Sequence, residues 1–324
     1  MSKSKATANR LRVRCTNLAV FASLLWFFSV LCLSGAGTES GQPVRFGFSR
    51  SMFLDFNEND TRAAIKLHAS IIGSAQGIAV SESPSIFGSL AEINNAIAAD
   101  ETDVISVTAP EYLAIPRKLL SPRLIVANID KTHDEEYLLL VRDDSQITKL
   151  AELRGKRLII YNSLRGLLSP LWLDVLLAGQ GFEAPKHFFA RVSFANKPVR
   201  TALPVFFCQE DACIVTRQSY DVLCELNPQL KTQLRVLATS PHYVPQVTCF
   251  RAALPPETLN RIIKAAIATP DSITGQQMLT IFQSSRITEI SSEELDPVRQ
   301  LLADQVRLRG TAEADKAKPA SISK

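Results

Sequence analysis

A serine, an arginine and a glycine stand together where an apolar run gives way to a helical one. Residues 152–175 read Glu-Leu-Arg-Gly-Lys-Arg-Leu-Ile-Ile-Tyr-Asn-Ser-Leu-Arg-Gly-Leu-Leu-Ser-Pro-Leu-Trp-Leu-Asp-Val. Arg157 to Tyr161 predicts a strand, Asn162 to Gly166 a small polar cluster, and the apolar residues beyond it a helix. A strand that empties into a helix start aims unpaired backbone N–H groups and the positive end of the helix dipole at one point. Such a point suits an anion. Gly166 lets the backbone approach a ligand closely. Ser163 adds a hydroxyl, and Arg165 a guanidinium whose paired donors match carboxylate or phosphate. The other reading of Arg165 is a side chain in solvent.

Residues for other chemistries are missing. There is no Gly-x-Ser-x-Gly elbow, no phosphate loop ending in Gly-Lys-Ser/Thr and no His-Glu-x-x-His. His68, His133, His187 and His242 are scattered singly and no Cys-x-x-Cys occurs, so neither a metal nor a cofactor is expected. Basic residues do not interleave with aromatics, which excludes a nucleic-acid surface.

The first 36 residues have the three parts of a secretory leader. Lys3, Lys5, Arg10, Arg12 and Arg14 precede an apolar run from Leu18 to Leu33, and Ser34-Gly35-Ala36 offers small residues for cleavage. The run is shorter than the about 20 residues that span a bilayer, which favours cleavage near Ala36 over an anchor. The chain carries 36 basic and 32 acidic residues; without the leader's five basic residues the balance is 31 against 32. The basic character therefore belongs to export. Cys208, Cys213, Cys224 and Cys249 remain, in a compartment that permits disulfides. Four cysteines allow three pairings, and buried free thiols are an equal alternative.

Strand-like and helix-like segments alternate along the rest, without an internal repeat. The first series holds strands at Val44–Ser49, Gly77–Val80 and Val104–Thr108, and helices at Thr61–Ser74 and Leu90–Ala99. The second holds strands at Tyr137–Arg142, Arg157–Tyr161, His187–Val192, Ala212–Thr216 and Leu234–Thr239, with helices between them. A further strand at Val247–Phe250 and helices at Pro256–Ala268, Gly275–Phe282 and Glu293–Arg307 follow. Such alternation predicts an α/β fold with largely parallel sheets. No Pro/Gly/Ser linker separates the two series. The chain is therefore expected to cross directly between two lobes, around Asn128–Glu136 and Ser240–Val247. This predicts one lobe from residues 41–130 plus 245–308, a second from 131–244, and an irregular tail from 309 to 324. A cleft between α/β lobes, outside the carboxyl ends of the strands, is a standard ligand site.

Several segments occur together in an order that resembles a known family. They are Glu152-Leu-Arg-Gly-Lys-Arg-Leu-Ile, Ser163 with Gly166 and Pro170, Glu210-Asp-Ala-Cys-Ile-Val-Thr-Arg217, and Phe250-Arg251 before Leu254-Pro255. Over roughly residues 44–290 the chain resembles the phosphate/phosphite/phosphonate-binding periplasmic components of ABC transporters. The resemblance implies a type II periplasmic-binding fold, two lobes around a cleft, a small anionic ligand and no catalysis. It implies a membrane permease with its ATPase as partner. A membrane sensor such as a kinase is the alternative partner, and a periplasmic hydrolase a third reading. A monomer is expected. Leu164 and Arg165 stand where the family has small hydroxyl residues, a departure that bears on phosphonate itself.

The resemblance also implies further cleft residues. Tyr112, after Thr108-Ala-Pro-Glu111, stands where a family tyrosine lines the cleft; the alternative is a Thr108 helix cap with a packed ring. Ser51, just beyond the first strand, and Thr108, at the end of the third, are further ligand-binding candidates. Lys197 precedes Pro198 where the family places a polar donor, against the alternative of an exposed lysine. Asp211 stands in the place of a cleft aspartate, or else caps a turn.

Overall fold

A computed structural model describes residues 43–53, 66, 77–81, 83–128, 132–281 and 284–317. The leader and, apart from Lys66, the helix expected at Thr61–Ser74 lie outside the described residues. No described helix is long and apolar enough to cross a membrane.

The described strands form two sheets. The first contains β1 (Phe46–Ser49), β2 (Ser85–Phe87), β3 (Val104–Thr108), β4 (Leu120–Asn128), β10 (Gln246–Arg251) and β11 (Arg286–Ile290), in the order β11-β4-β10-β3-β1-β2. The second contains β5 (Tyr137–Arg142), β6 (Arg157–Tyr161), β7 (Arg191–Ala195), β8 (Ala212–Thr216) and β9 (Leu234–Thr239), in the order β7-β6-β8-β5-β9. Each sheet has a parallel trio, β2-β1-β3 and β7-β6-β8. Antiparallel strands extend each trio, so both sheets are mixed. The chain enters and leaves the second sheet through the two crossings, which turns β5 and β10 against their neighbours.

Helices connect the strands: α1 (Leu90–Ala98), α2 (Ala109–Ala114), α3 (Ser169–Ala178), α4 (Pro185–Phe188), α5 (Pro198–Phe206), α6 (Arg217–Leu226), α7 (Gln229–Gln233), α8 (Pro256–Ile267), α9 (Ile273–Ile281) and α10 (Asp296–Ala317). Their starts follow local chemistry. Ser89 caps α1 by accepting from the Glu92 N–H, and Thr216 caps α6 by accepting from Ser219. α8 turns Leu259, Ile262, Ile263 and Ala266 inward.

β5 explains why a continuous apolar run is a strand here. Tyr137 to Val141 are all fully buried, because helices cover both faces of the sheet. The largest core cluster joins the lobes: Val107 and Leu124 of the first sheet, Leu139 and Leu158 of the second, and Tyr243 and Val244 of a crossing. α10 belongs to this junction. Its Val298 and Leu301 are buried in that core, and Arg309 donates to the Asp174 carboxylate on α3. The helix runs to Ala317, so residues 309–317 are not the irregular tail expected.

Other segments also depart from the sequence reading. Val80 makes only an isolated bridge to Val44, and the neighbour of β1 is the short Ser85–Phe87. The apolar His187–Val192 stretch is divided. Pro185 opens a helical turn through Phe188, and the strand begins at Arg191. Cys208, Cys213, Cys224 and Cys249 are free; Cys213 and Cys249 are buried, and burial pushes the Cys249 thiol up to about 12.

Candidate functional site

The topology brings the carboxyl ends of both parallel trios to the junction. β4 leaves the first sheet at Asn128, and β5 enters the second opposite Thr216, the last residue of β8. The crossings pair with each other: Glu135 and Tyr243 exchange backbone hydrogen bonds of 2.8 and 2.9 Å. The edge carrying the ends of β1 and β3 is thus tied to the edge carrying the ends of β6, β7 and β8. Ligands of open α/β sheets sit at such edges.

On the second sheet, the turn after β6 folds onto itself. Ser163 is 2 % exposed, and its hydroxyl accepts from the Gly166 N–H at 2.9 Å. Glycine is required at 166, since a Cβ there would run into the Tyr161 carbonyl oxygen. α3 starts only at Ser169, three residues beyond that glycine. Ser163 and Gly166 therefore set the shape of the edge, and the Gly166 amide is already engaged.

Arg165 turns toward the junction. Its guanidinium pairs with Glu135 and donates to the Gln218 side chain, and its carbonyl accepts from the Tyr137 hydroxyl at 2.9 Å. Glu135 is buried on the crossing, and a buried carboxylate demands a counter-charge. Burial pushes the Glu135 carboxyl up to about 7, against the pull of Arg165. The sequence offered no signal for this pair, because its members are separated along the chain by β5 and β6.

Two expected cleft residues lie elsewhere. Asp211 precedes β8 and so sits at the amino edge of the sheet, opposite to Ser163; its carboxylate takes the Arg157 N–H at 2.8 Å and the Arg157 guanidinium at 3.0 and 3.1 Å. Those bonds hold its pKa below the usual carboxylate range. Tyr112 is 3 % exposed on the inward face of α2 with Ala109, and burial raises its phenol. It packs in the core. Lys197, the residue before α5, is exposed and makes no side-chain cap.

On the first sheet, a carboxylate not assigned to the site occupies the edge. Glu111 accepts from Ser49 and Ser51 hydroxyls at 2.6 and 2.9 Å, and from the Thr108 hydroxyl and N–H at 2.9 Å each. Thr108 and Glu111 form a capping box, whose Thr-x-x-Glu spacing was the available signal. The hydroxyls of Ser51 and Thr108 are thus brought together, around a carboxylate of the same chain.

An open cavity of about 450 Å3 lies at the outer end of the second sheet's edge, lined by Asn162, Phe194, Ala195, Asn196 and Arg200. Asn162 follows β6, and its N–H donates to the Ala195 carbonyl at 2.8 Å, which sets it beside the end of β7. Among the described residues no group of His, Cys, Asp and Glu converges on a metal site.

Against known proteins, a model of the ABC-transporter phosphonate periplasmic substrate-binding proteins matches residues 55–295. A search of curated proteins gives no match. Among solved structures, a binding-protein component of a phosphonate ABC transporter from Pseudomonas aeruginosa aligns at 19% identity and TM-score 0.55, covering 84% of this chain and 89% of that one. PhnD1 from Prochlorococcus marinus, in complex with methylphosphonate, aligns at 14% identity and TM-score 0.54, covering 80% and 96%. A chloride-bound protein from Xanthomonas citri aligns at 16% identity and TM-score 0.56, covering 83% and 99%. At these identities the likeness establishes a shared two-lobe α/β fold.

Proposed function

The chain belongs to the family of phosphonate-binding periplasmic components of ABC transporters, and we propose that it captures a small phosphonate-like anion between its lobes for delivery to a membrane permease. The observation that carries this reading is the arrangement of strand ends. Both parallel trios stop at the edges that the crossings join, with the starts of α3, α5 and α6 on the second sheet's side. The ligand lies against the second lobe, over the Ser163–Gly166 turn, with Lys197 supplying charge. The Glu135–Arg165 pair and the Glu135–Tyr243 bridge hold the hinge about which the lobes close.

In this reading the leader is cut near Ala36, the chain works in the periplasm as a monomer, and residues 41–130 with 245–308 form the lobe facing 131–244. No chemical step is assigned. A second reading, a ligand-sensing subunit for a membrane signalling protein, is favoured by Glu111. Its carboxylate consumes hydroxyls that a high-affinity carrier would give to the anion. Neighbouring genes for a permease and ATPase, or for a signalling protein alone, separate the two.

A thermal-shift screen of phosphate, phosphite, phosphonates, sulfonates and carboxylates tests the function. A ligand at a hundred times its dissociation constant adds about 2.7 kcal/mol of stability. A screen in which no anion shifts the unfolding midpoint rejects the proposal.

A further inference from the structure

The charged groups nearest the hinge are already spent. Arg165 serves Glu135, and Arg217 serves Glu136. At the outer end of the same edge the situation reverses. Arg200 is exposed, lines the cavity after β6 and β7, and forms no ion pair among the described residues. It stands in the first turn of α5, where the helix dipole disfavours a cation and no acidic residue compensates.

The rest of the lining is equally uncommitted. Asn162 and Asn196 are exposed and line the cavity from adjacent strand ends, and a carboxamide can both donate and accept. Phe194 is 56% exposed on β7, although its partner Ile160 on β6 is buried. Val199, at the start of α5, is 41% exposed. Charge, amides and an aromatic ring around one hollow suit a ligand with both a charged and an apolar part. A volume of about 450 Å3 falls in the range of roughly 300–1,000 Å3 that organic ligands occupy, and is larger than a bare tetrahedral anion needs.

We propose that this cavity extends the anion site beside the Ser163–Gly166 turn and makes the protein select anions carrying a flat or apolar organic group over inorganic phosphate, with Arg200 adding a second charge to that of Lys197 and Phe194 packing on the organic group. The inference rests on the reading of the cleft as an anion site. Asn162 and Asn196 orient the ligand by hydrogen bonds to the anion's remaining oxygens. Arg200 and Phe194 are thereby specificity-determining residues.

Titration calorimetry of the exported chain with phenylphosphonate, methylphosphonate and inorganic phosphate tests this. Phenylphosphonate is expected to bind at least about tenfold more tightly than phosphate. Arg200→Gln weakens both phosphonates by about tenfold or more, while Phe194→Ala removes the preference for phenyl and leaves methylphosphonate unchanged. Both side chains are exposed, so unfolding midpoints without ligand stay at the parent value. If the parent binds phosphonates and both variants match it, the subsite is refuted while the function stands. If the parent binds none of the three, the anion-binding reading fails and the subsite with it.

Discussion

At their amino edges the two sheets use the same clamp. Arg45 precedes β1 and Asp103 precedes β3; the carboxylate takes the Arg45 N–H at 3.0 Å and its guanidinium at 2.9 and 3.0 Å. Arg157 and Asp211 repeat this between β6 and β8. At their carboxyl edges the sheets repeat a second device and then diverge. Thr108 caps α2 and Thr216 caps α6, each binding the residue three positions on. In the first lobe that residue is Glu111, and in the second Ser219. One lobe presents a negative, self-satisfied edge. The other presents a neutral cap, with Lys197 and Arg200 two strands away on the same edge. A single position in a shared motif thus sets the charge at each cap, and the proposed reading places the anion against the second lobe.

The largest expected effect separates the two clamps. Asp103 is 4 % exposed and also holds Arg251 at 2.8 Å, whereas Asp211 serves Arg157 nearer the surface. Asp103→Ala should cost about 3 kcal/mol in chemical denaturation, and Asp211→Ala about 1 kcal/mol or less. Equal losses would end the distinction. Burial raises the Asp103 carboxyl, but its bonds to Arg45 and Arg251 prevail and hold it below the usual range. Its contribution is therefore present above the unfolded carboxylate value and lost as pH falls through the folded one. Asp103→Asn should flatten the acid limb of stability more than Asp211→Asn does.

Gly166→Ala should cost about 2 kcal/mol, because the added methyl group meets the Tyr161 carbonyl and the turn must shift. An unchanged unfolding midpoint would show that the second lobe's edge is not shaped by that close approach. Smaller still, Glu111→Gln should cost about 1 kcal/mol through weakened bonds to Ser49, Ser51 and Thr108. Ser219→Glu would write the first lobe's capping box into the second, and should weaken anion binding several-fold in a titration. Anion binding unaffected by Ser219→Glu would break the comparison.

The Glu135–Arg165 pair gives the most pH-specific effect. Burial raises Glu135 from 4.5 to about 7, so the folded state binds its proton more tightly than the unfolded chain. That contribution is fully present below about 4.5 and is lost as pH rises through about 7. Midpoints recorded from pH 5 to pH 8 should fall less in Glu135→Gln than in the parent. Parallel profiles would remove Glu135 as the source.

Short apolar-rich runs between helical segments were the easiest elements to read. Tyr137–Arg142, Arg157–Tyr161, Ala212–Thr216 and Leu234–Thr239 all appear with the expected ends. Leu120–Asn128 was missed because Pro122 and Arg123 interrupt its apolar run, and Ser85–Phe87 because a three-residue edge strand leaves no periodicity. At the site, the sequence showed the turn but not its hydrogen bonds. The Ser163–Gly166 bond is local, whereas the Glu135–Arg165 pair depends on how the crossing meets β6. Asp211 teaches a rule of direction. A residue that precedes a strand of the parallel trio lies at the amino edge, opposite the carboxyl edge proposed for the ligand, whatever the motif around it suggests. Arg200 gave no signal of its own, because only the β6–β7 pairing sets the polar cluster beginning at Asn162 beside the end of β7.

In the proposed reading the second lobe holds the anion, while the first presents an edge whose hydroxyls Glu111 already engages. Titrating phenylphosphonate side by side into the parent, Arg200→Gln and Glu111→Gln tests it most directly. The account predicts at least about tenfold weaker binding for Arg200→Gln and equal or tighter binding for Glu111→Gln. Parent-like affinity in Arg200→Gln together with lost binding in Glu111→Gln would contradict it.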